Sequence, residues 1–523
     1  MKRAVLPLAL ALASLSPRLA GATGFGELGQ DIPKKPDVSV RLDGYFRMRA
    51  EALYDLDLSR GPTPSGQLLF PRPADPTSHT LTGGDMRLRT DLTIAAPGGS
   101  LAVKARIDTF DDVALGSGAA GNYGAATSQQ PPASAVRVKH AYGLALTPLG
   151  VIAAGRMGNH FGLGMLANGG DCPDCDSGDS ADRVAFLMPL VGHVFALAYD
   201  FSATGPTTAR KDGVRAIDIE PSDDVHTLTA VAMRFEEQAA RDRRRRAGKT
   251  TVEYGAYGSH RWQKNDIPAS YLPTAQPTPF TAAQVVYRGY TASAASAWLR
   301  VAAPWLRVEA EAALLVARVD QPSLIPGASF RQPVKSRQLG AALETEAGSP
   351  DGPFGGGVDA GYASGDPAPG FGANPAPNAA APRPGDLDGP QANPPRDNRV
   401  DNFRFHPDYR VDRILFREII GTVTDAVYLR PHVRVRVVEA RSGRLTASLA
   451  AIWSSAIYAS STPGGAHALG TELDPSLVYE SKDGFSAALE HGIFFPGAGL
   501  DNPAFRLPAR TAQVFRLRMM FRF

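Results

Sequence analysis

The sequence predicts an all-β fold, a transmembrane antiparallel up-and-down β-barrel of about 18 strands with both termini in the periplasm. Three observations predict it. Apolar and polar residues alternate with period two in segment after segment. Short and long connections alternate between those segments. Beyond the N-terminal leader no eighteen apolar residues run together, so a chain that crosses a membrane must do so as a closed barrel.

Composition agrees with many strands and many loops. The 53 glycines and 43 prolines are spread along the chain, and charged residues make up 20% of it. The formal net charge of +3 is small for 523 residues, so the composition argues against a nucleic-acid binder.

The N-terminus predicts export. Residues 1–22 carry Lys2 and Arg3, an apolar run and an Ala-x-Ala ending, which is the pattern of a signal peptide cleaved after Ala22. Residues 23–37 are then a periplasmic segment, and the barrel occupies residues 38–523.

The strand segments are predicted from alternation and flanking turn residues. They lie near 38–52, 84–96, 100–110, 134–147, 150–157, 182–188, 191–201, 225–236, 250–262, 287–302, 306–319, 335–347, 354–364, 425–438, 444–459, 469–481, 485–496 and 511–523. Connections after even-numbered strands are mostly tight and those after odd-numbered strands mostly long, as in an outer-membrane barrel with both termini on one rim.

The last strand has one apolar and one basic face. Its apolar side carries Phe515, Leu517, Met519, Phe521 and Phe523, and its other side carries Arg516, Arg518 and Arg522. A strand of this kind fits between lipid and a wet lumen.

The same alternation predicts a basic lumen wall. Its predicted members are Arg41, Arg47, Arg49, Arg87, Arg89, Lys104, Arg106, Arg137, Lys139, Arg434, Arg436, Arg516 and Arg518. Two interpretations are open. The arginines pair with Asp43, Glu51, Asp85, Asp91 and Asp108 and brace the wall, or their excess over acids favours the passage of anions.

The connection 365–424 is the longest. It begins as a Pro/Ala/Gly-rich irregular stretch and ends with Ile414, Leu415, Phe416, Ile419 and Ile420. This second part either folds into the lumen as a short helix or constriction, or forms an apolar cluster that caps the barrel.

The only two cysteines, Cys172 and Cys175, lie in the acidic segment 169–183, which is predicted to be an outer loop. A disulfide between them is the favoured interpretation in an oxidising compartment. The aspartates at 171, 174, 176 and 179 are either a solvated acidic loop or a weak calcium site, since the EF-hand order is absent. No other metal or cofactor is expected.

Motifs for catalysis are weak. "GDS" at 178–180 and "DDVH" at 223–226 are short matches expected by chance, and "AGKT" at 247–250 lacks the first glycine of a phosphate loop. The sequence therefore predicts no enzyme. The run Arg243–Arg246 is either a solvated turn or a contact for anionic lipid headgroups or a periplasmic partner.

Taken together, the signal peptide, the alternating strands, the ordered connections and the terminal Phe523 resemble a Gram-negative outer-membrane porin. Within that class "RLDGYFRMRAE" at 41–51 and "AAGRMGNHFGLGM" at 153–165 resemble alginate-export barrels and a related uncharacterised group from myxobacterial-type genomes. The resemblance implies that Phe515, Leu517, Phe521 and Phe523 form the signal read by the barrel-assembly machinery.

The predicted function is a passive outer-membrane channel for diffusion or export of anionic solutes, including acidic oligosaccharides. Its partners are outer-membrane lipid, the assembly machinery and those solutes. The alternative is a plugged, non-conducting structural or adhesive barrel that acts through its long loops.

Overall fold

The computed structural model describes residues 35–115, 136–202, 221–267, 283, 285–325, 327–350, 352–371 and 381–523. In it, 18 strands form one antiparallel sheet in which sequence neighbours pair. The first and last strands also pair, so the sheet closes. The predicted up-and-down barrel is therefore confirmed. The signal peptide and most of segment 23–37 lie outside the described residues.

The first nine strands are β1 (Ser39–Tyr54), β2 (Thr80–Ala95), β3 (Leu101–Ala114), β4 (Val136–Thr147), β5 (Gly150–Gly158), β6 (Ser180–Leu190), β7 (His193–Ser202), β8 (Val225–Arg234) and β9 (Thr251–Asp266). The others are β10 (Val286–Ala302), β11 (Leu306–Val319), β12 (Val334–Ala347), β13 (Phe354–Ala363), β14 (Ala426–Glu439), β15 (Gly443–Ala456), β16 (Ala468–Ser481), β17 (Phe485–Pro496) and β18 (Ala512–Arg522). One α-helix, α1 (Gln238–Arg246), joins β8 to β9, and a π-helical turn spans Leu415–Ile419. Within the described residues, 3-10 turns lie at Pro97–Gly99, Pro221–Asp223, Ala459–Ser461 and Ala498–Leu500, among others.

All the predicted strands are present, and the largest differences in extent lie at ends of β2, β3 and β9, which run further into the loops than alternation indicated. The alternation of connections is also confirmed. We call the end of the barrel with the connections β2–β3, β4–β5 and so on the short-turn rim, and the opposite end the long-loop rim. β1 begins and β18 ends at the short-turn rim.

The outer surface of the barrel is apolar. Aliphatic side chains such as Leu197, Leu314, Leu449 and Leu489 are exposed along its middle. Exposed aromatic side chains gather near both ends: Phe195, Tyr254, Trp305, Phe354 and Phe523 towards the short-turn rim, and Tyr54, Tyr199, Tyr287, Trp453 and Phe495 towards the long-loop rim. An apolar band between two aromatic girdles is the surface of a transmembrane barrel. The chain is therefore an outer-membrane β-barrel.

Within the described residues, no helix is long and apolar enough to cross a membrane.

The main hydrophobic core lies inside the barrel. Leu415, Phe416, Ile419 and their neighbours on the connection 364–425, here the long loop, pack with wall residues such as Ile452 and Phe494. The wall side chains belong to strands β15 and β17, so the second part of the long loop is inside the lumen. Of the two placements that the sequence left open, the structure shows the lumen-folded one.

Candidate functional site

The lumen wall at mid-height is basic on one side. Strands β1, β2, β3 and β18 are neighbours, and their inward side chains include Arg47, Arg49, Arg87, Arg89, Arg106, Arg516 and Arg518, which we call the basic wall. Arg47 and Arg87 are completely buried and Arg516 is nearly so. Something other than water therefore covers these guanidinium groups.

Part of the cover comes from carboxylates on the same strands. Asp85 accepts from Arg47 at 3.0 Å and from Arg49 at 2.8 Å. Arg89 makes a bidentate pair with Asp108, with N–O distances of 2.8 and 2.7 Å. Arg516 contacts Glu51 at 2.5 Å, Arg87 contacts Asp111 at 2.8 Å, and Arg106 contacts Asp91 at 2.7 Å. These ion pairs brace the wall, which is one of the two interpretations that the sequence left open.

The rest of the cover comes from residues 159–179, which join β5 to β6 and which we call the disulfide loop. Asp176 contacts Arg49 at 2.9 Å, Arg47 at 3.1 Å and Arg87 at 3.2 Å. Asp174 contacts Arg49 at 3.1 Å and Arg518 at 3.5 Å. Backbone carbonyls of this loop also accept: Pro173 from Arg47, Cys175 from Arg87 and Gly170 from Arg89.

The pKa values of the aspartates in the disulfide loop follow from these contacts. Burial by itself would raise the pKa of Asp174, but Arg417 and Arg518 hold that pKa well below its usual range. Asp176 is half-buried, and Arg49 and Arg47 lower its pKa to about 2. Asp171, which contacts Arg106, likewise has a lowered pKa. The three carboxylates are therefore ionised at neutral pH.

Cys172 and Cys175 are joined in a disulfide with a Cα–Cα distance of 5.1 Å, at the tip of this loop. The sequence placed the loop outside the barrel as a solvated acidic segment, whereas Cys175 is buried in the lumen. The physical reason is charge, because the carboxylates of the loop neutralise a wall whose arginines outnumber the acids beside them. Within the described residues, no three His, Cys, Asp or Glu side chains are grouped as a metal ion would require. Calcium at 171–179 stays a prediction.

Five of the other six predicted basic positions also contact acids. Arg41 contacts Asp43 at 2.6 Å near the short-turn rim. Arg137 and Lys139 both contact Asp111, at 3.1 and 2.9 Å. Across the barrel, Arg434 contacts Glu346 at 2.7 Å and Arg436 contacts Glu439 at 2.6 Å. Lys104 lies on β3 two residues before Arg106, and so on the same face of the strand.

The disulfide loop reaches across the lumen to the opposite wall. Glu311 on β11, half-way round the barrel from β2, accepts from the backbone N–H of Leu163 at 2.8 Å. The hydroxyl of Ser296 donates to the same carboxylate at 2.9 Å. A loop fixed to both β2 and β11 divides the lumen.

The long loop is fixed from a different wall strand. Glu472 on β16 is buried and accepts from three successive backbone N–H groups, those of Arg413 at 2.8 Å, Ile414 at 2.9 Å and Leu415 at 3.2 Å. Asp412 accepts from Phe416 at 3.0 Å. These carboxylates satisfy the N-terminal amides of the π-helical turn, so this segment is held at one position.

The two loops leave an opening on one side of the lumen. A cavity of about 160 Å³ lies between the long loop and strands β11–β14. It is lined by Arg307, Glu344, Asp359, Tyr409, Arg410, Val411, Tyr428, Arg430 and His432. Three guanidinium groups and one imidazole thus face two carboxylates, and two phenolic hydroxyls stand 3.4 Å apart at its edge. Alternation did not identify Arg307 and Arg410 as site residues, because one lies at a strand start and the other on a loop.

A basic ladder continues from this cavity along β14. Arg430, His432, Arg434 and Arg436 alternate along one face of the strand and descend towards the short-turn rim. Successive positions are about 7 Å apart. Arg430 retains 30% and Arg307 40% side-chain exposure, in contrast to the buried arginines of the basic wall. Solvent in the lumen therefore meets Arg307 and Arg430 more than it meets Arg47, Arg49 or Arg87.

No protein-family model matches the chain, and no curated protein matches it. Among solved structures it is similar to OpdK from Pseudomonas aeruginosa with vanillate, at 10% identity and a TM-score of 0.47 over 93% of this chain and 98% of that one. It is also similar to a BenF-like porin from Pseudomonas fluorescens, at 9% identity and a TM-score of 0.44 over 93% and 98% of the two chains. The outer membrane channel DcaP of Acinetobacter baumannii matches at 12% identity and a TM-score of 0.36 over 93% and 98%. The alginate-export resemblance stays a prediction.

Proposed function

We propose that this barrel is an outer-membrane channel through which small anionic solutes diffuse passively, acidic sugars among them. The observation that carries the proposal is the cavity between the long loop and β11–β14, whose lining has more cationic than anionic groups. An excess of positive charge in a confined aqueous site lowers the barrier to anions.

The basic wall has a different part in this proposal. Its guanidinium groups are buried against the disulfide loop, so they hold a constriction in place instead of contacting solute. Removing one partner of a buried ion pair leaves the other charge uncompensated, which typically costs about 3–5 kcal/mol. The solute path proposed here runs beside that constriction and along the basic ladder of β14.

The ladder suits passage because each of its basic groups already has an acid nearby. Arg430 contacts Asp359 at 2.6 Å and Arg434 contacts Glu346 at 2.7 Å. A solute anion must share each guanidinium with that carboxylate, so no step binds it tightly. Weak successive sites permit both entry and release.

The test is single-channel recording of the refolded protein in a planar bilayer under a salt gradient. Current steps with an anion-selective reversal potential are expected. The variant R430Q/R434Q should shift that potential towards cations. The matched variant R318Q/R337Q removes two positive charges from the outward face of β11 and β12, and should leave the potential unchanged. Equal potentials for all three proteins would contradict the proposed path.

A plugged barrel is the second candidate, because two loops occupy the lumen and are fixed to opposite walls. It predicts no current from the folded protein. Deletion of residues 367–400 separates the candidates further: a channel keeps a measurable conductance or gains one that is larger, while current that appears only after deletion supports the plugged barrel.

A further inference from the structure

The only described α-helix of the barrel, α1 at the short-turn rim, carries an unusual density of positive charge. Its last four residues are Arg243, Arg244, Arg245 and Arg246, and Lys249 follows in the turn to β9. Its position is fixed: Arg241 donates to the backbone carbonyl of Glu236 at 2.5 Å and contacts the buried carboxylate of Glu253 on β9 at 3.1 Å.

The arginines of α1 divide between two faces. Arg241 and Arg245 are four residues apart and share the face that contacts the barrel and Asp242. Arg243 and Arg246 are three residues apart on the opposite face, and both are exposed. Within the described part of the chain, Arg243, Arg246 and Lys249 have no carboxylate within the 4.0 Å of an ion pair.

The lipid-facing surface begins on β8 and β9, the two strands that this helix joins. Arg234, the last residue of β8, is exposed and pairs across the sheet with the outward-facing Tyr254. The hydroxyl of Tyr254 and Nε2 of His193 are 2.8 Å apart, and both rings belong to the aromatic girdle of this rim. Aromatic girdles lie at the depth of the membrane interface. Thr251, where the turn after α1 ends, is three residues from Tyr254, which is about 10 Å along a strand.

We propose that α1 and the turn after it bind the headgroups of anionic phospholipids in the leaflet at the short-turn rim. The positive charge of α1 is complementary to negatively charged headgroups, and α1 lies close to the depth of the headgroup layer. A protein partner is disfavoured, because residues 236–250 contain no large apolar or aromatic side chain, and such side chains anchor protein interfaces. Arg234 extends the same positive surface down to the girdle.

The test measures the lipid shell of the full-length folded barrel in phosphatidylcholine vesicles by electron paramagnetic resonance, with spin-labelled phosphatidylglycerol or phosphatidylcholine as the probe. At low salt the protein should prefer phosphatidylglycerol about threefold or more, and molar salt should abolish the preference. The variant R243Q/R246Q/K249Q should lose at least half of it. The variant R243K/R246K, which keeps the charge, should retain it.

The matched control R331Q/R396Q/R506Q removes three exposed charges from loops of the opposite rim and should leave the preference unchanged. A wild-type protein with no preference, or a helix variant with the full wild-type preference, would overturn the proposal. So would an equal loss in the control, because net charge alone would then account for the effect. Each variant is compared only after its folded fraction is shown to equal that of the wild type by heat-modifiable migration.

Discussion

The carboxylate of Asp408 accepts a hydrogen bond at 2.8 Å from the backbone N–H of Asp176, 232 residues away in the sequence. It accepts a second from Ser177 at 2.9 Å. Asp408 belongs to the long loop and Asp176 to the disulfide loop, so the two loops that enter the lumen are tied together. The backbone N–H of His406 also donates to the carbonyl of Met165 at 2.7 Å. A movement of one loop therefore displaces the other.

Asp408→Ala should loosen this junction. It removes the acceptor of the partly buried N–H groups of Asp176 and Ser177, at a cost of about 0.5–1.5 kcal/mol each. We expect faster tryptic cleavage within the long loop and more frequent current fluctuations, with the barrel itself intact. The control Asp483→Asn changes an exposed acid in a short turn. Cleavage rates that are the same in both variants would show that Asp408 does not hold the loops.

The double variant D174N/D176N should make the lumen more positive. The amides keep the size of the side chains but no longer neutralise Arg47, Arg49 and Arg417. We expect the reversal potential to move towards anions and the disulfide loop to become more accessible to protease. The control D182N/D483N removes two carboxylates outside the lumen. An unchanged potential in D174N/D176N, with the loop in place, would mean that the charges of the disulfide loop do not act on the solute path.

Asp425 should give the folded barrel a pH-dependent stability. Burial raises the pKa of this carboxyl, which accepts from the N–H of Tyr458, to about 7. Because the folded state holds the proton more tightly than the unfolded state, stability falls as pH rises from about 4 to 7. Asp425→Asn removes the charge, and asparagine tolerates the positive φ of 47° at this position.

The measurement is the thermal midpoint between pH 4 and pH 8.5. We expect the wild-type midpoint to fall across this window and the Asp425→Asn midpoint to fall less, so that the variant is the more stable protein at pH 8. The same slope in both proteins would assign the pH dependence to other groups.

Phe523 should matter more for assembly than for the finished barrel. Its backbone exchanges two hydrogen bonds with Gly44, each at 3.1 Å, and its ring lies over that glycine. We expect Phe523→Ala to lower the amount of folded barrel in the outer membrane, while the refolded variant keeps a near-normal thermal midpoint. Phe505→Ala, an exposed aromatic at the long-loop rim, should have no effect on the amount. Loss of stability without loss of assembly would contradict the signal role.

Gly44→Ala tests the same junction from the other strand. A Cβ at this position would lie 2.3 Å from the carbonyl oxygen of Arg89 and 2.7 Å from the Phe523 ring. We therefore expect this variant to lower the thermal midpoint of the refolded barrel. An unchanged midpoint would show that the strands adjust at no cost.

The barrel could be predicted from the sequence alone. Successive side chains of a strand point to opposite faces, so a strand between lipid and water needs an apolar residue at every second position. This pattern is visible in neighbouring residues of the sequence. Strand β11 was predicted at 306–319 and is observed at Leu306–Val319, and the apolar face of β18 is exposed as alternation requires. The same alternation predicted the basic faces of β1–β3.

The contacts of those basic faces could not be predicted and are seen only in the folded barrel. The contacts of Arg49 with Asp174 and Asp176 span 125 and 127 residues, and no local pattern encodes a pairing at that distance. Whether a loop folds into the lumen depends on the sum of many charges and on apolar surface that forms only when the barrel closes. For that reason the acidic loop was expected in solvent and lies in the lumen, and the exposed basic groups are at Arg307 and Arg430 instead of Arg47 and Arg87.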